Sequence, residues 1–314
     1  MAPEGDVLAG GTAAEPESVP IHEAGEFPRV GIVGAGPVGT ALGVAISRAG
    51  WPVTAVSSRD PGRRERFRAL VPGSRAFADP AALIEAVELA ILAVPDDAIP
   101  EVAASIRVYS GQALVHTSGL LGAEVLQPSL SAGSQIGAFH PLVSFTADVG
   151  RSAAAIRGST IALEGDPRLL ALLAELAEAL GAVPVRLPPG TKPAYHAAAV
   201  MASGGLVALL DAVARLGAVA GLDESGALAV YGRLVEQTLA NAKASGVNAS
   251  LTGPIARGDA GTVAAHIDAL RRFAPDLLEL YAATAKRELK LAEERGALAP
   301  AELEQVRAAL AKPA

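Results

Sequence analysis

Short apolar runs alternate with amphipathic stretches through the first 190 or so residues, and only amphipathic stretches follow. The runs Arg29–Val33, Pro52–Arg59, Leu89–Pro95, Ala113–Gly119, Gln135–Pro141, Ser159–Gly165 and Ala182–Pro188 read as strands. They are near-continuously apolar rather than cleanly alternating, the pattern of strands covered on both faces of a parallel sheet. Beyond residue 189 helical spacing runs through Tyr195–Leu216, Ser225–Ser245, Ala260–Phe273 and Leu277–Glu294, with Gly and Pro at the breaks. The expected plan is α/β: a mostly parallel sheet domain over 29–188 and an all-α domain over 189–314, preceded by a flexible tail over 1–28.

Between the first run and the helical stretch "TALGVAISRAG" stands "GAGPVG", residues 34–39. In a strand–turn–helix unit Gly34 makes the tight turn, Gly36 lets the backbone approach a pyrophosphate, and Gly39 lets the helix pack on the strand. Pro37 suits the first helical turn, where its missing N–H costs nothing, and Ala35 and Val38 complete the loop. This is the fingerprint of a Rossmann-type dinucleotide site. About 20 residues further on, an acidic residue normally holds the ribose hydroxyls of NAD. Here Ser57, Ser58 and Arg59 occupy the strand end, with Arg63 and Arg64 just beyond. Hydroxyls and guanidinium forks suit a 2′-phosphate, so NADP(H) is the expected cofactor. Val94 and Pro95, closing the Leu89–Pro95 run, are expected to flank it.

Composition narrows the partners. The 314 residues carry 26 basic and 33 acidic side chains, a formal charge of −7, which argues against a nucleic-acid or anionic-membrane footprint. Cysteine is absent, so disulfides, thiol chemistry and thiolate-bound zinc are excluded. No His/Asp/Glu cluster has metal-ligand spacing, so no metal is expected. The tail lacks the basic start and apolar stretch of a signal peptide, and no segment has ~18 uninterrupted apolar residues. A cytoplasmic protein acting on a small molecule, without nucleic acid or membrane, is expected, with the long Ala- and Leu-rich helices serving as a homodimer interface.

Polar groups gather at the carboxyl ends of the strands, outside which open parallel sheets bind ligands. Asp96 and Asp97 either cap the next helix or join the site. His116, Thr117 and Ser118 follow another strand; His116 is a substrate contact or a satisfied core histidine, and Ser118 a catalytic hydroxyl or a turn. His140 sits among apolar neighbours and needs a partner. In "KPAYHAAAV", Lys192 and His196 lie one turn apart at a helix start. Either can deliver a proton; Lys192 near the N-cap meets the positive end of the helix dipole, which favours the neutral amine. Ser203 shares the His196 face, and "GPIARGD" offers Arg257 and Asp259 as substrate contacts or as a local ion pair.

Together "GIVGAGPVGTAL", "LAVPDDAI", "HTSG", "FHPLVSF", "YHAAAV" and "LTGPIARGD" resemble a bacterial family joining a Rossmann-like domain to a helical domain of unknown function. It is similar to ketopantoate reductase, pyrroline-5-carboxylate reductase and the β-hydroxyacid dehydrogenases. The resemblance implies NADP binding, hydride transfer, and reduction of a small 2-oxo acid such as 2-dehydropantoate. A pyrroline-type imine reductase or a non-catalytic NADP sensor are the alternatives. It also implies a catalytic lysine and, four residues on, an asparagine; Lys192 and His196 take those positions, histidine replacing asparagine. His196, His140, Lys192 and Ser118 are therefore the candidate catalytic residues.

Overall fold

A computed structural model describes residues 27–311; the tail expected over 1–28 lies outside these except for its last two residues. Eight strands form one sheet: β1 (Val30–Val33), β2 (Val53–Ser57), β3 (Arg75–Phe77), β4 (Leu89–Leu92), β5 (Ala113–His116), β6 (Gln135–Pro141), β7 (Thr160–Gly165) and β8 (Val183–Arg186). Their order is β3-β2-β1-β4-β5-β6-β7-β8. All pairs are parallel except β6 with β7, where Phe139 faces Leu163 in an antiparallel ladder. The chain reverses its crossover direction between β1 and β4, which sit side by side. That junction is the topological switch point where such sheets bind ligands.

The strands are covered on both faces. Val30, Ile32, Leu89, Ile91 and Val115 pack into one apolar layer with α1 (Pro37–Arg48) and α6 (Pro167–Ala179). Val33, Ala55, Ala90, Leu92 and Leu114 pack into a second with α3 (Pro80–Ile84) and α4 (Ile99–Ser105). The exceptions are the two edge strands: β3 exposes Arg75 and Ala76, and β8, expected to be buried, leaves Val183 and Val185 exposed. Helix starts are written locally. Asp60, Asp79 and Asp166 each accept a backbone N–H at the N-cap of α2 (Pro61–Leu70), α3 and α6, and a proline follows each at N1. This Asp-Pro pair combines a cap that satisfies a free N–H with a residue whose missing N–H leaves none to satisfy. Asp148 caps α5 (Val149–Ile156) without the proline.

The chain divides into two compact units, the first ending at Val200 and the second starting at Met201. The first unit closes with α7 (Lys192–Val200). The second begins with a π-helical turn, Met201–Gly205, which holds Ser203. It continues as α8 (Leu206–Val219), α9 (Glu224–Ser245), α10 (Val247–Ser250), α11 (Ala260–Phe273), α12 (Leu278–Arg295) and α13 (Pro300–Ala311). Its core joins Ile255, Val263 and Ile267 to Leu289, Val306 and Leu310. Asp259, expected at the substrate, caps α11 by accepting from Thr262 N–H and Oγ1, while Arg257 ends the 3-10 turn just before it.

Candidate active site

A crevice of about 930 Å³ opens at the carboxyl ends of β1, β2, β4 and β5, lined wholly by residues of the first unit. One end is the glycine turn. Gly34 has φ +109°, and a Cβ there would lie 2.3 Å from the Ala93 carbonyl oxygen. Gly39 is tighter, its added Cβ falling 1.9 Å from the Gly34 oxygen. At Gly36 an added Cβ would meet nothing; that face is open toward the crevice at the N-terminus of α1, where no side chain caps the helix. Free N–H groups at a helix start hold a phosphate. Ala35, Pro37, Val38, Ser57, Val94 and Pro95 line the same space.

The residues that follow β2 form another wall of the crevice. Ser58, Arg59 and Arg63 all line the crevice. Arg64, by contrast, is spent on structure: its guanidinium donates to the Ser58 carbonyl. Asp60 also lines the crevice, as do Asp96 and Glu101, and it stands beside Arg59, where a free carboxylate would favour unphosphorylated ribose. Its Oδ1 accepts the Arg63 N–H, however, and that bond holds its carboxyl below the usual range. Asp60 is thus committed to the helix cap.

At the other end Gly119, His140 and His196 meet. An added Cβ on Gly119 would lie 2.4 Å from His196 Nδ1 and 2.8 Å from His140 Nε2, so both rings close over this backbone and glycine is required by approach. The two imidazoles meet edge to face with centroids 5.9 Å apart. His140 Nδ1 bonds the Tyr195 hydroxyl at 3.2 Å, leaving Nε2 directed at Gly119. Burial, then Lys192, then His196 lower the His140 pKa to about 4, so its ring is neutral at pH 7. His196 Nδ1 is buried with no hydrogen-bond partner. A buried polar atom left open is the feature a ligand would satisfy.

Three expectations change on inspection of the loop after β5. His116, expected at the substrate, is fully buried; its Nδ1 accepts from Ser118 N–H and its Nε2 bonds the Gly122 carbonyl. That second contact makes Nε2 the protonated nitrogen, and burial lowers the ring's pKa to about 4. Ser118, expected as a catalytic hydroxyl, donates Oγ to Asp96 at 2.7 Å and accepts from the Leu120 and Leu121 N–H groups. Asp96, expected as a helix cap, makes no capping bond and holds Ser118 instead. Lys192 is 1% exposed and donates to the Ser118 carbonyl. The loop is therefore a rigid floor, and the open polar atoms above it belong to the two histidines. Tyr195, Gly119 and Glu164, whose carboxylate accepts the Ala123 N–H, were not anticipated. Among the described residues no group of three or more metal-ligating side chains occurs.

A family model for a Rossmann-like domain matches residues 16–141, and a model for a domain of unknown function, DUF2520, matches 159–288. The chain thus carries a Rossmann-like domain followed by a DUF2520 domain. That is the pairing its motifs resemble. No curated protein matches the sequence. Protein TM1727 from Thermotoga maritima is similar in structure, with 27% identity, a TM-score of 0.64, and 85% of this chain and 99% of that one covered. A Bacteroides fragilis protein provisionally named an NADP oxidoreductase is similar at 21% identity and TM-score 0.68, covering 83% and 98%. A 1-pyrroline-5-carboxylate reductase from Streptococcus pyogenes is similar at 18% identity and TM-score 0.60, covering 87% and 99%. The Rossmann-like/DUF2520 chain thus shares its fold along most of its length with these proteins.

Proposed function

We propose that the chain is an NADPH-dependent oxidoreductase that reduces a C=O or C=N bond of a small molecule. The observation that carries this is one continuous crevice, running from an uncapped helix start at the glycine turn to the unpartnered Nδ1 of His196. The relatives provisionally or explicitly named as NADP oxidoreductases and pyrroline-5-carboxylate reductases support the same class. Bound NADPH would supply a hydride to the carbonyl carbon. The oxygen then needs a proton and a donor at hand as charge develops. His196 Nδ1 is the donor assigned here, with neutral His140, steadied by Tyr195, orienting the oxygen from the other side. Small 2-oxo acids, 2-dehydropantoate among them, are the first substrates to test. Cyclic imines with and without a carboxylate are the second, because the Lys192 ammonium is turned to Ser118 rather than free for a carboxylate.

The test is NADPH oxidation followed by absorbance against both panels. His196→Gln is expected to lower kcat by ~10²–10⁴ while leaving NADPH affinity unchanged. Tight NADPH binding without turnover in either panel would replace this reading by a non-catalytic sensor. Calorimetry checks the cofactor: Arg59→Ala is expected to weaken NADPH roughly tenfold and NADH hardly at all, a loss of about 1.4 kcal/mol for one exposed phosphate contact. Equal losses for both cofactors would remove the 2′-phosphate assignment.

The proposal extends to a homodimer through the second unit. Among the described residues one helical stretch, Lys192–Val219, is long and apolar enough by length and composition to cross a membrane, and 6% of its most apolar window is buried. Met201, Val207, Val230, Leu234 and Leu239 are all more than half exposed. Large apolar side chains this exposed on α8 and α9 favour covering by a partner, and a second copy is the occupant proposed. Val207→Glu with Leu234→Glu is expected to halve the mass measured by sedimentation velocity; a native chain that sediments as a monomer at 100 µM, roughly the concentration at which a 10⁻⁴ M dimer is half formed, would exclude it.

A further inference from the structure

Lys192 presents the oddest energetic feature of the first unit. Its side chain is 1% exposed, and an ammonium taken out of water must bond its protons to persist. Burial lowers its pKa to about 8, while Glu164, Asp96 and Glu124 act to raise it. Its direct partner is a peptide oxygen: Nζ donates to the Ser118 carbonyl at 2.6 Å. Lys192 does not line the crevice.

The bond completes a set. Ser118 N–H is held by His116, and its Oγ by Asp96 and by the Leu120 and Leu121 N–H groups. Lys192 takes the remaining polar group of this residue. The Ser118–Gly119 peptide is planar and trans. Fixing its oxygen therefore also fixes the Gly119 N–H on the opposite side and the Gly119 Cα, over which His196 Nδ1 and His140 Nε2 close.

We propose that Lys192 is a positioning residue: its ammonium latches the Ser118–Gly119 peptide that forms the floor beneath His140 and His196, and it is not the proton donor. The latch belongs to the fold itself, while its effect on cofactor and turnover rests on the oxidoreductase reading above.

Two measurements decide it. In the full chain labelled with ¹⁵N-lysine, the Lys192 ammonium protons are expected to exchange with water far more slowly than those of the other lysines; equal exchange would overturn the latch, even if every variant failed to fold. In Lys192→Met, the Gly119 amide resonance is expected to move and NADPH to bind about tenfold more weakly, with the limbs of the pH–rate profile kept. The chain has no cysteine, so Lys192→Cys can be aminoethylated at a single thiol while unfolded and then refolded. The resulting lysine analogue is expected to restore the Gly119 resonance and NADPH affinity. A folded Lys192→Met protein with an unmoved Gly119 resonance overturns the proposal, as does loss of a pH limb at unchanged affinity, which would make Lys192 the acid. If native protein binds no NADPH, the oxidoreductase reading fails, and lysine exchange with the Gly119 resonance still decides the latch.

Discussion

A Gly39→Ala chain is expected to bind NADPH at least about a hundredfold more weakly than native protein and to melt several degrees lower. The added methyl would stand 1.9 Å from the Gly34 oxygen and 3.0 Å from both Ala93 Cβ and Ile32 Cγ2. The nearest of these is backbone, in a turn already held at positive φ by Gly34, so α1 must move off β1. Losing one or two charge-assisted phosphate hydrogen bonds, at about 1.5–3 kcal/mol each, lowers affinity on the order of 10², and overpacking costs typically ~1–3 kcal/mol, or roughly 2–4 °C of melting temperature per kcal/mol at this size. Gly36→Ala is the control. Its methyl meets nothing in the protein, so it should leave the melting temperature unchanged and weaken binding only through the space a phosphate would fill. Calorimetry and thermal melts on both variants test the pair; native-like NADPH affinity in Gly39→Ala would sink the assignment of this turn.

The same positions explain why the sheet domain could be read from the chain. Local rules and the global fold agree there: the GxGxxG turn joins a buried strand to a helix, and Asp-Pro marks three helix starts. Gln135–Pro141 and Ala260–Phe273 fall at the expected residues. What escaped has a physical cause in each case. Three-residue β3 is too short to carry a period, and two of its residues are exposed. The antiparallel pairing of β6 with β7 is set by where the chain re-enters the sheet, which no local pattern encodes. β8 looks like a core strand but has no neighbour on its outer side. The single turn of π-helix after Val200 depends on one extra residue between turns, invisible to apolar spacing.

The site was legible as residue types and not as roles. His140 and His196 stood out because an imidazole in apolar company needs an explanation, and both reach the crevice. Ser118, His116 and Lys192 stood out for the same reason, yet their polar atoms are spent on one another and on backbone. A sequence shows which groups can bond and not which already have. Tyr195 was hidden differently: adjacent to His196 in the chain, it reaches His140, 55 residues away.

Two buried neutral histidines, His116 and His140, give the second large effect, a loss of stability on mild acidification. In the fold His116 and His140 both have pKa values lowered to about 4, chiefly by burial and then by the Lys192 charge, against an ordinary value of 6.5. Below pH 6.5 the unfolded chain therefore takes up protons that the folded chain refuses. Stability falls as the pH drops from 6.5 toward 4 and levels off once the folded rings are protonated too. For fully buried His116 the difference corresponds to about 3 kcal/mol, with somewhat less for half-buried His140. Roughly 5 kcal/mol in total is comparable with the whole stability of many domains. The surface carboxylates with lowered pKa, Asp60, Asp223, Asp259 and Asp276, act below their ordinary value of 3.8, whereas Glu288, raised by burial above 4.5, acts in the same window with the opposite sign; urea unfolding between pH 6.5 and 4.5 therefore reads the imidazoles by comparing a histidine variant with native protein. His140→Gln, which keeps a polar partner for Tyr195, is expected to remove nearly half of the slope in that window. A slope equal to that of native protein would mean that His140 titrates in the fold as it does in the unfolded chain, and on mild acidification it would then be a second acid facing the crevice rather than the neutral group that orients the substrate.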